Sequence, residues 1–167
     1  MAKSVAAKCR DDPTKTLEAT YERHVNMLHR VCYSYIKNST ETEDVVADVF
    51  IKLLEKCPKF DNDEHEKAWL LRTAINLCKD RIKHWWRKRA NIDDYQHLES
   101  SHEFMDDNIL KAVMALPDRY KAVVYLYYYE GYPSPEIAKI LKKPQSTILN
   151  HLSEARKILK GVLANEQ

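Results

Sequence analysis

The sequence predicts an all-α protein made of two small helical domains joined by a flexible acidic linker. The 167 residues include only 2 Gly and 6 Pro, which is little turn material for a many-stranded sheet. Apolar residues recur at intervals of three and four, as on one face of a helix. A polar segment near residues 90–108 has several Asp and Glu but no Lys or Arg, and this composition is typical of a linker.

These patterns predict a domain order along the chain. We expect an N-terminal tail at residues 1–11, a first domain at 12–90, the linker at 91–107, a second domain at 108–163 and a C-terminal tail at 164–167.

The first domain is predicted to be a bundle of three or four helices. Asp12-Pro13 is a good helix start, and the helix should end near Asn38-Ser39. Its expected inward face is Leu17, Tyr21, Val25, Leu28, Cys32 and Tyr35. Thr40 and Glu43 have the spacing of a capping box for a second helix, which Pro58 should end.

A third helical pattern carries Trp69, Leu70, Ala74, Leu77, Cys78 and Ile82 and ends in a positively charged run, Arg81–Arg89. Trp85 and Trp86 lie inside that run. Bases stack on indoles while cations follow a nucleic-acid backbone, so the run suits opened nucleic acid. The alternative is that one Trp is core and the cations only favour the end of a helix.

The second domain is predicted to contain a helix-turn-helix. Helices are expected at Ile109–Leu116 and Arg119–Glu130, with Gly131 as the C-cap of the latter, then at Ser134–Leu141, and lastly from Pro144. The expected inward residues are Val123, Val124, Leu126, Tyr127, Ile137, Ala138, Leu141, Ile148, Leu152, Ala155 and Leu159. Two helices joined by a short turn, the second longer and with basic residues near its end, are typical of DNA-binding domains. A plain helical hairpin with a solvated polar face is the alternative.

Motifs for other functions are absent from the sequence. It has no Gly-rich phosphate loop, H-E-x-x-H or G-x-S-x-G, and its 4 Cys and 7 His lack metal-ligand spacing. We therefore expect no catalytic residues, no metal and no cofactor. No signal-peptide-like run or membrane span is evident, so we expect a cytoplasmic protein without membrane insertion.

Taken in order, these segments resemble the extracytoplasmic-function (ECF) sigma factors of the sigma-70 family. The stretch Thr42–Ile51 is similar to their region 2.2. The resemblance implies docking on the clamp of the largest subunit of bacterial RNA polymerase core through Asp44, Asp48, Phe50 and Lys52.

The stretch Lys67–Ile82 is similar to regions 2.3 and 2.4, which read the −10 promoter element as single-stranded DNA. The resemblance implies a −10 site made of loop residues Phe60, Asp61 and Asn62 and helix residues Trp69, Arg72, Asn76, Lys79 and Lys83. A polar loop beside a basic, aromatic helix suits an unstacked base.

The stretches Ala115–Val124, Glu130–Leu141 and Ser146–Arg156 are similar to region 4, which reads the −35 element and contacts the flap of the second-largest polymerase subunit. The implied −35 residues are Lys143, Gln145, Ser146, Leu149, Asn150, Ser153, Arg156 and Lys157. Family members often carry Gly in place of Lys142 and a basic residue in place of Leu149.

The resemblance implies a non-catalytic subunit that directs bacterial RNA polymerase core to promoter DNA and initiates transcription. An anti-sigma factor is an expected partner of the family, although this sequence identifies none. The alternative is a stand-alone helix-turn-helix regulator with an N-terminal sensor or dimerisation domain. A third hypothesis is an enzyme with an appended DNA-binding domain, but the sequence contains no catalytic constellation that would support it.

Overall fold

The computed structural model describes residues 13–89 and 108–165. The chain divides into two compact units, one containing residues 13–89 and the other residues 108–165, and all regular elements among these residues are helical. The predicted all-α class with two small helical domains is confirmed. The predicted tail at 1–11 and linker at 91–107 lie outside the described residues.

The first unit contains α1 (Pro13–Ile36), α2 (Ser39–Lys56) and α3 (Asp63–Arg89). Each of these helices packs against the other two. Their shared core includes Leu28, Val31, Cys32, Val45, Val49, Leu70, Leu71, Ala74, Ile75 and Cys78, all almost fully buried. Burial of this apolar surface is the main stabilising contribution to so small a unit.

The start of α2 differs from the predicted capping box. Asn38 is the N-cap, and its side-chain oxygen accepts a hydrogen bond from the backbone N–H of Glu41 at 3.0 Å. Thr40 and Glu43 therefore lie inside the helix, and their capping prediction is wrong. Lys37, with φ of 58°, lies directly before Asn38 and donates its backbone N–H to the carbonyl of Tyr33 at the end of α1.

The inward face of α1 is also rotated from the predicted one. Tyr21 was expected inside but is 48% exposed, whereas Thr20 and His24 are buried. The cause lies on α3, because Glu66 is buried there and a buried carboxylate needs donors. Thr20, Arg23 and His24 of α1 supply them, at 3.5, 2.8 and 3.1 Å.

The second unit contains α4 (Asn108–Ala115), α5 (Asp118–Val124), a π-helical turn (Tyr125–Tyr129), α6 (Ser134–Leu141) and α7 (Gln145–Asn165). Its core cluster joins Val113, Leu116, Tyr120 and Val124 to Ala155. The helix α7 continues through Asn165, which places part of the predicted C-terminal tail in helix.

The predicted helix Arg119–Glu130 widens into the π-helical turn over its second half. The backbone N–H of Glu130 donates to the carbonyl of Tyr125, five residues back, at 3.3 Å. Tyr125 and Leu126 remain buried, whereas Tyr127, predicted to face inward, is partly exposed. Glu130 is the C-cap, and Gly131, the predicted C-cap, follows one residue later with φ of 71°, a conformation that favours glycine.

The helix-turn-helix consists of α6, a turn through Lys142, Lys143 and Pro144, and α7. The two helices pack together and bury Ile137 and Ile140 of α6 with Ile148 and Leu152 of α7. Ala138 and Leu141, both predicted to face inward, are only partly buried, and Ile140 is buried instead.

Candidate nucleic-acid interface

One face of α3 carries the helix residues predicted to bind −10 DNA. Trp69, Arg72, Asn76, Lys79 and Lys83 recur at intervals of three and four along a single helix, so they form one stripe. Each is exposed or partly exposed, while Leu70, Leu71, Ala74, Ile75 and Cys78 fill the opposite, buried face. The stripe contains an aromatic ring, an amide and three cations without a carboxylate, a combination suited to single-stranded DNA.

An aromatic cluster joins the loop before α3 to the start of this stripe. The Phe60 ring meets Trp69 edge-on, with centroids 5.9 Å apart, and His65 at 5.4 Å. The structure thus brings together two of the predicted −10 residues, one from the loop and one from the helix. Sequence reasoning missed His65, although its position one helical turn before Trp69 places it on the same face.

The other two loop residues have structural roles at the helix start. Asn62 caps α3, since its side-chain oxygen accepts from the backbone N–H of His65 at 2.9 Å. His65 Nδ1 also lies 3.3 Å from the backbone nitrogen of Asp61, which donates to it. Both Asp61 and Asn62 are exposed, and the side-chain amide nitrogen of Asn62 is the part not used by the cap.

The positively charged run at the end of α3 is not uniformly available to DNA. Arg81 forms ion pairs with Glu41 at 2.7 Å and with Asp48 at 3.3 Å, both on α2. The cations exposed to solvent begin at Lys83. Trp86 is 65% exposed, whereas Trp85 is partly buried.

The residues predicted to dock on polymerase lie on α2 in different environments. Asp44 is exposed, and Asp48 and Lys52 are partly exposed. Phe50 is only 7% exposed and packs on Tyr21 with centroids 5.1 Å apart, so the structure places it in the core rather than on a docking surface. Sequence reasoning missed Ile51, which is 49% exposed and lies seven residues after Asp44, on the same face.

The residues predicted to bind −35 DNA lie almost entirely on the outer face of α7. Gln145, Ser146, Leu149, Asn150, Ser153, Arg156 and Lys157 are all exposed, and Lys143 in the preceding turn is partly exposed. Three of them have side-chain partners: Gln145 donates to Ser134 at 3.3 Å, Lys157 pairs with Glu154 at 3.0 Å, and Arg156 donates to Tyr128 at 3.1 Å. The hydrogen bond to Tyr128 raises the pKa of Arg156.

The described residues form neither a metal-binding cluster nor an apolar helix of membrane-spanning length. Within 13–89 and 108–165, no cluster of His, Cys, Asp and Glu could hold a metal ion. Nor is any helix in these two ranges long and apolar enough to cross a membrane. Cys32 and Cys78 are free and buried, and the pKa of Cys32 is well above its usual value because it is hydrogen-bonded to Cys78 and desolvated.

Comparison with known families identifies both units. Residues 20–89 match the Sigma-70 region 2 family and residues 106–159 match the Sigma-70 region 4 family. The two matches occur in the order expected of a sigma factor and cover most of the chain. The chain belongs to the ECF group of the sigma-70 family.

Curated relatives match this sigma factor over more than four-fifths of its length. It is 28% identical over 147 residues to RNA polymerase sigma factor SigV of Bacillus subtilis, covering 86% of this chain and 88% of SigV. It is 26% identical over 157 residues to ECF RNA polymerase sigma factor SigW of the same organism, covering 81% of this chain and 82% of SigW.

Solved structures share the fold of this sigma factor. Sigma factor RpoE of Bartonella quintana, crystallised with anti-sigma factor NepR, matches 92% of this chain and 99% of its own with a TM-score of 0.76 and 20% identity. The structure of CnrH, in complex with the cytosolic domain of CnrY, covers 99% of this chain and 96% of CnrH, with a TM-score of 0.67 and 21% identity.

Proposed function

We propose that this sigma factor directs bacterial RNA polymerase core to specific promoters and initiates transcription there. The first unit docks on the polymerase clamp and captures the −10 element, and the second unit binds the −35 element and contacts the flap. The sigma factor itself is not an enzyme. The observation that carries the proposal is the α3 stripe, Trp69 to Lys83, beside the Phe60 cluster, within a unit that matches region 2.

The −10 function rests on the chemistry of that stripe. Opening the duplex costs a few kcal/mol per unstacked base, which contacts to the flipped base must offset. Phe60 and Trp69 provide aromatic edges and faces for such a base, and Arg72, Lys79 and Lys83 provide charge for the strand. The buried opposite face of α3 fixes the spacing of these groups.

Docking on polymerase rests on the exposed face of α2. Asp44 and Asp48 precede Ile51 by seven and three residues on that face, so it offers two carboxylates next to one apolar side chain. Lys52 lies beside them. Phe50 supports this face indirectly, because its ring packs on Tyr21 and holds α2 against α1.

Duplex recognition at −35 rests on the outer face of α7. Gln145 and Asn150 are exposed amides that can pair with adenine edges, and Leu149 can contact a thymine methyl. Ser146 and Ser153 are exposed on the same helix, while Lys143, Arg156 and Lys157 can bind phosphates and set the register on DNA.

An anti-sigma factor is a further partner that we propose for this chain. Its structural neighbour RpoE was crystallised with the anti-sigma factor NepR, and its structural neighbour CnrH was solved in complex with the cytosolic domain of CnrY. Such a partner would cover the surfaces used for polymerase or DNA.

Run-off transcription tests the proposal. Bacterial core polymerase is supplied with genomic fragments, including the region upstream of this gene, with and without the sigma factor. Transcripts should start at discrete sites only when the sigma factor is present. The exchange Asn76→Ala, combined with Lys79→Ala, should abolish these starts but retain co-migration with core polymerase.

A second pair of variants tests docking. Asp44→Lys with Ile51→Ala should prevent co-migration with core polymerase, whereas Glu22→Ala, an exposed carboxylate on α1, should not. Absence of discrete starts together with absence of co-migration would disprove the sigma function. The alternative regulator would then be tested by a search for a dimer and a palindromic duplex site, although the region 2 match does not favour it.

A further inference from the structure

Arg156 at the end of the −35 face is held by two tyrosines from another element. Its Nε donates to the Tyr128 hydroxyl oxygen at 3.1 Å, and its guanidinium carbon lies 5.6 Å from the centroid of the Tyr127 ring. The two tyrosine rings meet edge-on, with centroids 4.9 Å apart and planes at 75°. An arginine side chain that is otherwise exposed is therefore restrained from two sides.

The π-helical turn is what places these tyrosines on the surface. Tyr125 and Leu126 are buried and anchor the turn, whereas Tyr127 is partly exposed and Tyr128 is 48% exposed. Such turns insert one residue into a helix and are frequent at functional sites. Two neighbouring aromatic side chains thereby reach Arg156, 28 residues further along the chain.

The hydrogen-bond donors that remain on Tyr128 and Arg156 suit an anionic ligand. The Tyr128 oxygen accepts from Arg156, which leaves the phenol hydrogen able to donate to another acceptor. Arg156 uses Nε on Tyr128, and a hydrogen bond with Tyr127 also contributes to its raised pKa. Its terminal nitrogens have four N–H groups, which leaves donors for an oxyanion. Because a phenol is neutral, the full positive charge is retained.

Two other basic side chains of the protein have carboxylate partners instead. Lys157 of the same helix forms an ion pair with Glu154 at 3.0 Å, and Arg81 of the first unit pairs with two carboxylates. A phosphate that binds Lys157 or Arg81 would have to compete with these carboxylates. Arg156 combines restraint with an undiminished charge, and restraint before binding reduces the entropy lost when a ligand binds.

We propose that Tyr128 and Arg156 together form a binding site for one backbone phosphate of the −35 duplex, with the Tyr127 ring as the surface on which the guanidinium rests. The site rests on the proposed function of α7. Arg156 lies on the same helical stripe as Leu149 and Ser153, so the phosphate flanks the bases that this stripe contacts. Tyr128 is thus a DNA-binding residue from outside the helix-turn-helix.

The site is tested on the complete polymerase holoenzyme, with the promoter fragment found by run-off transcription as the probe. Tyr128→Phe keeps the ring and removes one donor, and should weaken DNA affinity about three- to tenfold without changing its salt dependence. Arg156→Ala should weaken affinity more and reduce the slope of log affinity against log salt by about 1. The double variant should resemble Arg156→Ala, because the two residues act on one phosphate.

Single uncharged methylphosphonate linkages placed through the −35 region identify the phosphate. One position should weaken the wild type but leave Arg156→Ala and Tyr128→Phe less affected. Tyr129→Phe, a hydroxyl removed from the same π-helical turn, and Lys111→Ala, an exposed cation on α4, are the matched controls. Thermal unfolding of each variant separates loss of binding from loss of fold.

Each failure has a distinct signature. Full affinity of Tyr128→Phe beside weak binding by Arg156→Ala would overturn the paired site and leave an ordinary arginine contact. Full affinity and an unchanged salt slope for Arg156→Ala would overturn the phosphate site altogether. A failure of the proposed function itself would appear earlier, as the absence of discrete transcripts with the wild type.

Discussion

The buried carboxylate of Glu66 is expected to be the main polar contribution to packing of α1 on α3. It accepts from His24 at 3.1 Å, from Arg23 at 2.8 Å and, at the limit of hydrogen bonding, from Thr20 at 3.5 Å. Glu66→Ala removes all three bonds and leaves buried donors on α1 without this acceptor.

The magnitude follows from the exposure of each partner. His24 and Glu66 are 10% and 12% exposed at their side chains, so their charge-assisted bond contributes about 1.5–3 kcal/mol. Arg23 is 47% exposed, and solvent screening limits its contribution to roughly 0.5 kcal/mol. The bond to Thr20 is long and adds little. We therefore expect Glu66→Ala to lower the unfolding free energy of the first unit by about 2–3 kcal/mol, and Glu66→Gln by less, because the amide retains an acceptor.

Tryptophan fluorescence during urea unfolding measures this unit selectively, because Trp69, Trp85 and Trp86 are the three tryptophans of the chain and all lie in it. Glu64→Ala is the control, since Glu64 is an exposed carboxylate in the same first turn of α3 and its loss has the same effect on the helix dipole. Equal unfolding midpoints for Glu66→Ala and Glu64→Ala would refute the reasoning.

Three further predictions concern single features of the fold. Lys142 adopts φ of 50°, which costs a residue with a Cβ about 1–2 kcal/mol. Lys142→Gly should therefore stabilise the helix-turn-helix by roughly 0.5–1 kcal/mol after the greater chain entropy of glycine is subtracted. Slower hydrogen exchange in α6 and α7 would show this stabilisation, and faster exchange would contradict it. Burial lowers the pKa of His29 from its usual 6.5, and Glu43 partly offsets this shift. As pH decreases below about 6.5, the unfolded chain binds this proton before the folded chain does, so the unfolding free energy should fall. The urea midpoint should therefore fall more between pH 7.5 and pH 5.5 for the wild type than for His29→Asn, and equal falls would disprove the effect. Cys32 and Cys78 are buried, and the pKa of Cys32 is raised. Both thiols should therefore react slowly with iodoacetamide at pH 8 until the protein is unfolded. Rapid modification of the native protein, measured by mass spectrometry, would contradict this prediction.

Apolar periodicity predicted the helices and the helix-turn-helix, because helix positions depend mainly on neighbours three and four residues away. It did not predict that α1 turns Thr20 and His24 inward and leaves Tyr21 exposed, since the cause is a carboxylate 42 residues from His24. The Asn38 cap was missed because Thr40 and Glu43 matched a known pattern better. The π-helical turn has no reliable sequence signal, so Tyr127 was wrongly assigned to the inward face.

The candidate site was predicted in part for the same reason. The stripe on α3 and the outer face of α7 follow from helical spacing once the helices are placed, and both appear where the sequence put them. Burial of Phe50 under Tyr21 and exposure of Ile51 depend on how α1 packs on α2, which no local pattern records.

Charge available to DNA depends on the partner of each cation as well as on the number of cations. Arg81 belongs to the most basic segment of the chain, yet its pairing with Glu41 and Asp48 makes it a link between α2 and α3 with little net charge to offer a phosphate. Arg156 has the neutral hydroxyl of Tyr128 as its partner and retains its charge. Because each phosphate contact contributes about one unit to the salt dependence of binding, Arg81→Gln should leave that dependence unchanged and Arg156→Ala should reduce it. The fold therefore gives these two arginines different partners: Arg81 pairs with two carboxylates of α2, whereas Arg156, on the proposed −35 surface, pairs with a neutral hydroxyl.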